Sequence, residues 1–315
     1  MKKEVSIRKF MVFALLSLLL AGCAGNGMDD TDEMVYNPKS VIAFTTSIDD
    51  EPVTRGTPLN SASEVTSLGL FCTYTGKEKF NTLQPPPPPP PNKMINKKMN
   101  RVQGTDGWEY DGADVMWDNT SAADNYTFFA YAPYSSPANG ITIEMPLTTL
   151  PRLRYKVPAN VADQPDLMIA ESRRNIHPTG HPVDLKMKHI LTAVGFTLQG
   201  NGQVVTGLSL TGVYTEGVII IDLANNNANT WISVSGETDI FNIPIAGGSC
   251  TATATEQDLI ADDGYLMMIN QQLLEAAKVI ITFANNQTKE IKLKEAGNPT
   301  HWIRGQKITY KIILP

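Results

Sequence analysis

Histidine and cysteine are scarce in this chain of 315 residues, four and three respectively, so the usual raw material for metal centres and nucleophilic catalysis is thin. The histidines that lie near one another are His177, His181 and His189, with Asp184 between them. His177 and His181 have a spacing that would put both rings on one face of a helix. Pro178, Gly180 and Pro182 exclude that helix, so the group reads as loop residues at a domain junction and no metal is expected. A Gly-x-Ser-x-Gly elbow, a His-Glu-x-x-His pair and a glycine-rich phosphate loop are also missing, and nothing sets a base beside a nucleophile. The chain reads as a non-enzyme without a cofactor. Blocks of one charge are absent too: the net charge of -6 comes from scattered acids and bases, which argues against a nucleic-acid partner.

A run long enough to span a membrane is lacking as well. The apolar segment from Phe10 to Leu20 is shorter than the roughly 20 residues a spanning helix needs. It follows Lys2, Lys3, Arg8 and Lys9 and ends at Leu20-Ala21-Gly22-Cys23, so it reads as an export signal. That ending resembles the lipobox of bacterial lipoproteins. The resemblance implies a signal peptide over residues 1–22, cleavage before Cys23, and acyl chains (palmitate among them) on that cysteine. At about 0.8 kcal/mol per buried methylene, several chains hold a protein stably on a bilayer. An ordinary secretory peptide with an accidental cysteine is the alternative. Residues 23–40 are rich in Gly, Asn and acid and read as a flexible tether. The acids Asp29, Asp30, Asp32 and Glu33 loosely resemble the signal that sends lipoproteins of the Bacteroidetes to the outer face of the outer membrane. With Cys23 lipidated, Cys72 and Cys250 remain; an oxidising compartment permits a disulfide, but two free thiols in strand-like runs is the preferred reading.

Long helical periods are missing from the rest. Short runs rich in β-branched and aromatic residues recur between Gly, Pro, Asn and Asp: Val41–Ile48, Ser67–Tyr74, Tyr126–Tyr131, Ile141–Met145, Val183–Gln199, Val204–Tyr214, Val218–Leu223, Tyr265–Ile269, Lys278–Phe283, Lys289–Lys294 and Lys307–Leu314. Asn285-Asn286 is hairpin-turn chemistry, because Asn tolerates positive φ. One helix of at most two turns is expected over Gln271–Ala277. The pattern predicts an all-β protein of β-sandwiches, and the 293 residues left after removing 22 from 315 suit two domains.

The seven prolines Pro85–Pro91 form a polyproline II rod of roughly 20 Å, through which a sheet cannot pair. A rigid exposed loop is the preferred reading over a docking motif. Trp108, Tyr110, Trp117, Trp231 and Trp302 could stack on carbohydrate, yet large aromatics more often plug cores.

Several segments fall in a telling order: Val41-Ile42-Ala43-Phe44, Thr54-Arg55-Gly56, Val115-Met116-Trp117, Tyr126-Thr127-Phe128-Phe129-Ala130-Tyr131-Ala132-Pro133, Asp166-Leu167-Met168-Ile169-Ala170, Met187-Lys188-His189-Ile190-Leu191-Thr192-Ala193-Val194 and Trp302-Ile303-Arg304-Gly305-Gln306-Lys307-Ile308-Thr309-Tyr310. Together they resemble the fimbrillin family of the Bacteroidales, lipoprotein pilins and accessory subunits. The resemblance implies two transthyretin-like β-sandwich domains in tandem, 41–182 and 183–315, on a surface-exposed body lipid-anchored in the outer membrane. It further implies that an Arg-specific protease removes the first strand, that a neighbouring fimbrial subunit donates a strand to the opened groove, and that repetition builds a fimbria. Here Val41–Ile48 is the removable strand and Arg55 the processing residue. In polymerising members the donor comes from the C-terminal part, whereas Lys307–Leu314 is followed only by Pro315, which points to a tip or accessory subunit. The rival reading is a monomeric outer-membrane lipoprotein that keeps its first strand and binds a host glycan or protein through its loops.

Overall fold

A computed structural model of the protein describes residues 40–48, 61, 64–80, 90–118, 121–146, 150–223, 231–235, 240–260, 264–295 and 297–315. Cys23, Arg55, the tether to Lys39 and Pro85–Pro89 lie outside these residues. The described backbone is strand and loop, with helical geometry limited to short 3-10 turns such as Val161–Asp163 and Ala246–Gly248.

The largest sheet runs in spatial order β1 (Phe44–Ile48), β10 (Val183–His189), β8 (Met168–Ala170), β5 (Asn125–Ala132), β2 (Ser67–Gly76), β3 (Met94–Arg101) and β4 (Trp108–Tyr110), with β9 (Arg173–Ile176) also paired to β5. Its middle strand β5 reads Asn-Tyr-Thr-Phe-Phe-Ala-Tyr-Ala and is buried at every position. The reason is that both of its faces meet a core. Tyr126, Phe128, Ala130 and Ala132 join Leu68, Leu70 and Cys72 of β2 on one side, while Phe129 and Tyr131 join Phe71 on the other. A strand covered on both faces gains from a near-continuous apolar run in place of strict alternation.

Three further ladders build the second core. β11 (Leu191–Gln199) lies between β18 (Leu266–Ile269) with β17 (Gln257–Asp258) on one edge and β23 (Lys307–Ile313) on the other. β15 (Phe241–Ile243), β12 (Val204–Thr211), β20 (Lys278–Phe283) and β21 (Thr288–Lys292) form another sheet, with β16 (Cys250–Thr251) also on β12. β14 (Ser233–Ser235), β13 (Glu216–Ile220), β7 (Arg152–Lys156) and β6 (Ile141–Glu144) form the third, and β19 (Gln271–Gln272) pairs with β22 (His301–Trp302). The architecture is all-β and sandwich-like, as the spacing of the apolar residues predicts. The hairpin between β20 and β21 turns at Asn285-Asn286, where Asn286 adopts φ +62°.

Two expectations are corrected. No helix forms over Gln271–Ala277. Gln271 is buried and extended, its side chain accepting from Tyr214 N–H at 2.8 Å and donating to Tyr214 C=O at 3.0 Å and Ile269 C=O at 3.1 Å. Those three bonds, with the β19–β22 ladder, outweigh a weak local helix preference. The run Val183–Gln199 is also two strands and not one, broken at Ile190 so that β10 enters the first sheet and β11 the second. Three pairings cross the expected division at Pro182: β10 takes β1 on one edge and continues the sheet of β8 on the other, and β7 pairs along its whole length with β13. Contacts join the described residues into one compact unit.

Candidate functional site

The first strand occupies the seam of the first sheet. From Phe44 to Ile48 it pairs in parallel with β10, in the register Phe44↔Val183 through Ile48↔Met187. No other strand flanks these residues among the described ones. Just upstream the chain turns to a different wall. Ile42 N–H donates to Val115 C=O at 2.9 Å, Trp117 N–H to Ser40 C=O at 3.1 Å, and Val41 bridges Met116 in antiparallel fashion. Since residues 115–117 follow β4, the opposite end of the sheet, the segment 40–48 closes a curled sheet upon itself.

Its side chains fill the groove between these walls. Ile42 is 0% and Phe44 2% exposed, whereas Thr45 to Ile48 are only half-buried. The Phe44 ring meets Phe128 edge-on with centroids 5.5 Å apart and planes at 80°. Trp117 packs edge-on against Tyr126 at 4.9 Å and Phe128 at 5.9 Å, continuing the same aromatic layer. Burying two side chains of this size contributes about 3–6 kcal/mol, which holds the strand firmly without making its release prohibitive.

Polar side chains hold its register. The Tyr110 hydroxyl donates to Ile42 C=O at 2.7 Å, and burial pushes that hydroxyl far above its ordinary pKa, so it stays a donor. Arg101 donates from Nη2 to Thr46 Oγ1 at 2.8 Å and from Nε to Val65 C=O at 2.7 Å while its guanidinium lies 4.5 Å over the Trp108 ring. Ser47 Oγ donates to Asp184 Oδ1 at 3.3 Å. The contributions of Tyr110, Arg101 and Val115–Trp117 escape sequence reading because they close the seam from far along the chain. In the sequence, Val115-Met116-Trp117 stands out only as one segment of the ordered series that carries the resemblance.

At the far end of the chain, β23 pairs in parallel with β11 from Ala193↔Lys307 to Gln199↔Ile313. Ile308, Tyr310, Ile312 and Leu314 point into the core, and Leu314 N–H donates to Gln199 C=O at 2.8 Å. The first and last described strands thus each flank one half of the β10–β11 run.

The other candidates scatter. His177 Nδ1 lies 3.1 Å from Asp124 C=O, Asp184 is engaged by Ser47, and His189, the last residue of β10 and not a loop residue, pairs with Asp166 at 2.9 Å. Among the described residues no three His, Cys, Asp or Glu side chains converge as metal ligands. Cys72 and Cys250 are both free thiols; burial pushes the Cys72 thiol far up, which makes it inert. Trp117, Trp231 and Trp302 are at most 5% exposed and serve the core. Of the proline rod, Pro90 is exposed and Pro91 buried.

Among solved structures, a candidate cell adhesion protein from Bacteroides uniformis aligns over 87% of this chain and 92% of its own, with 12% identity and a TM-score of 0.53. A second from Bacteroides ovatus aligns over 88% and 93%, with 13% identity and a TM-score of 0.56. At such identities they establish the shared fold and nothing finer. No curated protein matches the sequence. The model of the fimbrillin-like family, however, matches residues 54–315. Extending over most of the chain, that match shows that this protein belongs to the fimbrillin-like family.

Proposed function

We propose that the protein is a structural subunit of a cell-surface fimbria, carried to the outer membrane as a lipoprotein on Cys23 and assembled by strand exchange after cleavage at Arg55. The observation that carries this reading is the position of residues 40–48. They form a sheet-edge strand that closes the groove of the first sheet, and they lie upstream of Arg55 on the connection to β2. Cleavage there leaves the strand held only by noncovalent contacts. Its departure bares the β10 edge, the 115–117 wall and the pockets of Ile42 and Phe44, a surface that favours pairing with a strand from another fimbrial subunit. The family match begins at residue 54, so the strand lies ahead of the shared body. Two sandwich domains, 41–182 and 183–315, remain the proposed organisation.

The home-packed β23 supports a tip or accessory position, where a subunit accepts a strand without giving one. Adhesion to a host glycan or protein belongs to this role. The test is digestion of the mature chain with an Arg-specific protease, followed by intact mass and size-exclusion chromatography. A single cut after Arg55 and a folded remainder that captures an added donor-strand peptide, neither of them seen with Arg55→Gln, support the reading. An uncut Arg55, or a cut remainder that captures no added strand, favours the monomeric binding lipoprotein.

A further inference from the structure

Strand exchange makes no use of a second concavity in the fold. An open cleft of about 620 Å³ is lined by Trp231, Asn270, Gln272, His301, Ile303 and Arg304, among other residues. That volume falls within the roughly 300–1,000 Å³ typical of small-molecule sites. The β19–β22 ladder brings two of these side chains together, with Gln272 opposite His301.

Two lining residues carry unpaired donors. Trp231 Nε1 and Arg304 Nη1 are both shielded from water, and neither has a hydrogen-bond partner among the described residues. Folded proteins satisfy nearly all buried polar groups, so two orphans in one cleft call for a physical explanation. Their neighbours show that the region is otherwise well paired: Trp302 Nε1 donates to Tyr310 Oη at 2.9 Å, and Gln271 makes the three bonds described above. Both orphans are N–H donors and one is cationic. No Asp or Glu stands among the described lining residues to neutralise it.

Donors without acceptors select a ligand rich in oxygen, and an unneutralised guanidinium selects a carboxylate, which it grips in a two-point fork. Amide side chains such as Gln272 offer a donor and an acceptor together, matched to vicinal hydroxyls. Ile303, 50% exposed, gives the rim an apolar surface suited to the C–H face of a pyranose. We propose that this cleft binds a hexuronate unit of an acidic polysaccharide, its carboxylate on Arg304 and a ring or hydroxyl oxygen on Trp231 Nε1. Arg304 is only half-buried, so its guanidinium can turn to meet the ligand, and because Trp231 Nε1 is shielded from water the cleft wall over the indole shifts as the ligand seats.

The test uses the four tryptophans of the chain, each of which gives one indole N–H signal in a ¹⁵N spectrum of the mature protein. Glucuronate and galacturonate are titrated in, with glucose and inorganic sulfate as controls. Expected is a saturable shift of the Trp231 indole signal, identified by its loss in Trp231→Phe, with the uronates alone. Arg304→Gln is expected to weaken binding at least tenfold and Gln272→Ala several-fold, with thermal melts checking that each variant folds. A Trp231 signal that ignores both uronates overturns the proposal. So does an equal response to sulfate, which leaves a plain anion site, or to glucose, which leaves a site indifferent to charge.

Discussion

Phe44 from within the first segment and Tyr110 from across the groove both help hold it in place. Phe44→Ala removes a ring that is 2% exposed and set against Phe128, and such truncations cost about 3–5 kcal/mol. Urea unfolding checks this; a loss below about 1 kcal/mol means the ring does not fill the groove. Tyr110→Phe keeps the ring but leaves Ile42 C=O without its donor, an expected loss of about 1–3 kcal/mol. Gly69 has a different constraint. A Cβ there would sit 2.0 Å from Cε1 of Tyr131, whose hydroxyl donates to Asn96 at 2.8 Å and accepts from Ser135 N–H at 3.1 Å, so the ring cannot move aside cheaply. Gly69→Ala is expected to destabilise by about 1–3 kcal/mol through overpacking. Tyr131 also sets a pH limit, because burial pushes its hydroxyl from 10.0 up to about 12. A pKa raised in the folded state means the stabilisation is intact below pH 10 and lost as pH rises through about 12. Alkaline titration followed by tyrosinate absorbance should show ionisation and unfolding together in that window.

Strands were legible where local chemistry decides and illegible where a distant partner does. Short runs such as Ser67–Tyr74 and Lys278–Phe283 announced themselves by composition, and Asn286 by its tolerance of positive φ, so the all-β class followed. The break at Ile190 did not, since Val183–Gln199 is apolar enough on either side to read as one strand, and only the divergence of two sheets separates β10 from β11. Gln271 misled for a related reason: its hydrogen bonds go to Tyr214, 57 positions away. The candidate site was half visible. Val41–Ile48 could be named from its pattern, but not its parallel pairing with β10 or its second wall at 115–117, because a strand's pattern does not reveal its neighbours. At this scale the β1 groove should select alternation. A synthetic strand with apolar residues at the Ile42 and Phe44 positions is expected to bind the Arg55-cleaved protein, and one with Asp at both is not. Fluorescence anisotropy of labelled peptides would distinguish them.

Over the whole molecule, two parallel edge pairings frame the β10–β11 run: the first strand on β10 and the last on β11. They differ in what holds them. β23 follows seven register positions and buries Ile308, Tyr310, Ile312 and Leu314, whereas β1 follows five and buries Phe44 fully, with Ile42 just ahead of it. Cleavage at Arg55 should therefore loosen the chain at one end and leave the other intact. Hydrogen exchange read by mass spectrometry before and after an Arg-specific cut tests this most directly. Expected is loss of protection in residues 183–186 and 115–117 on cleavage, its recovery on association, and unchanged protection in β11 and β23. Protection that survives cleavage at 183–186 while the released strand is absent would contradict the role of residues 40–48 as the removable closure of the groove.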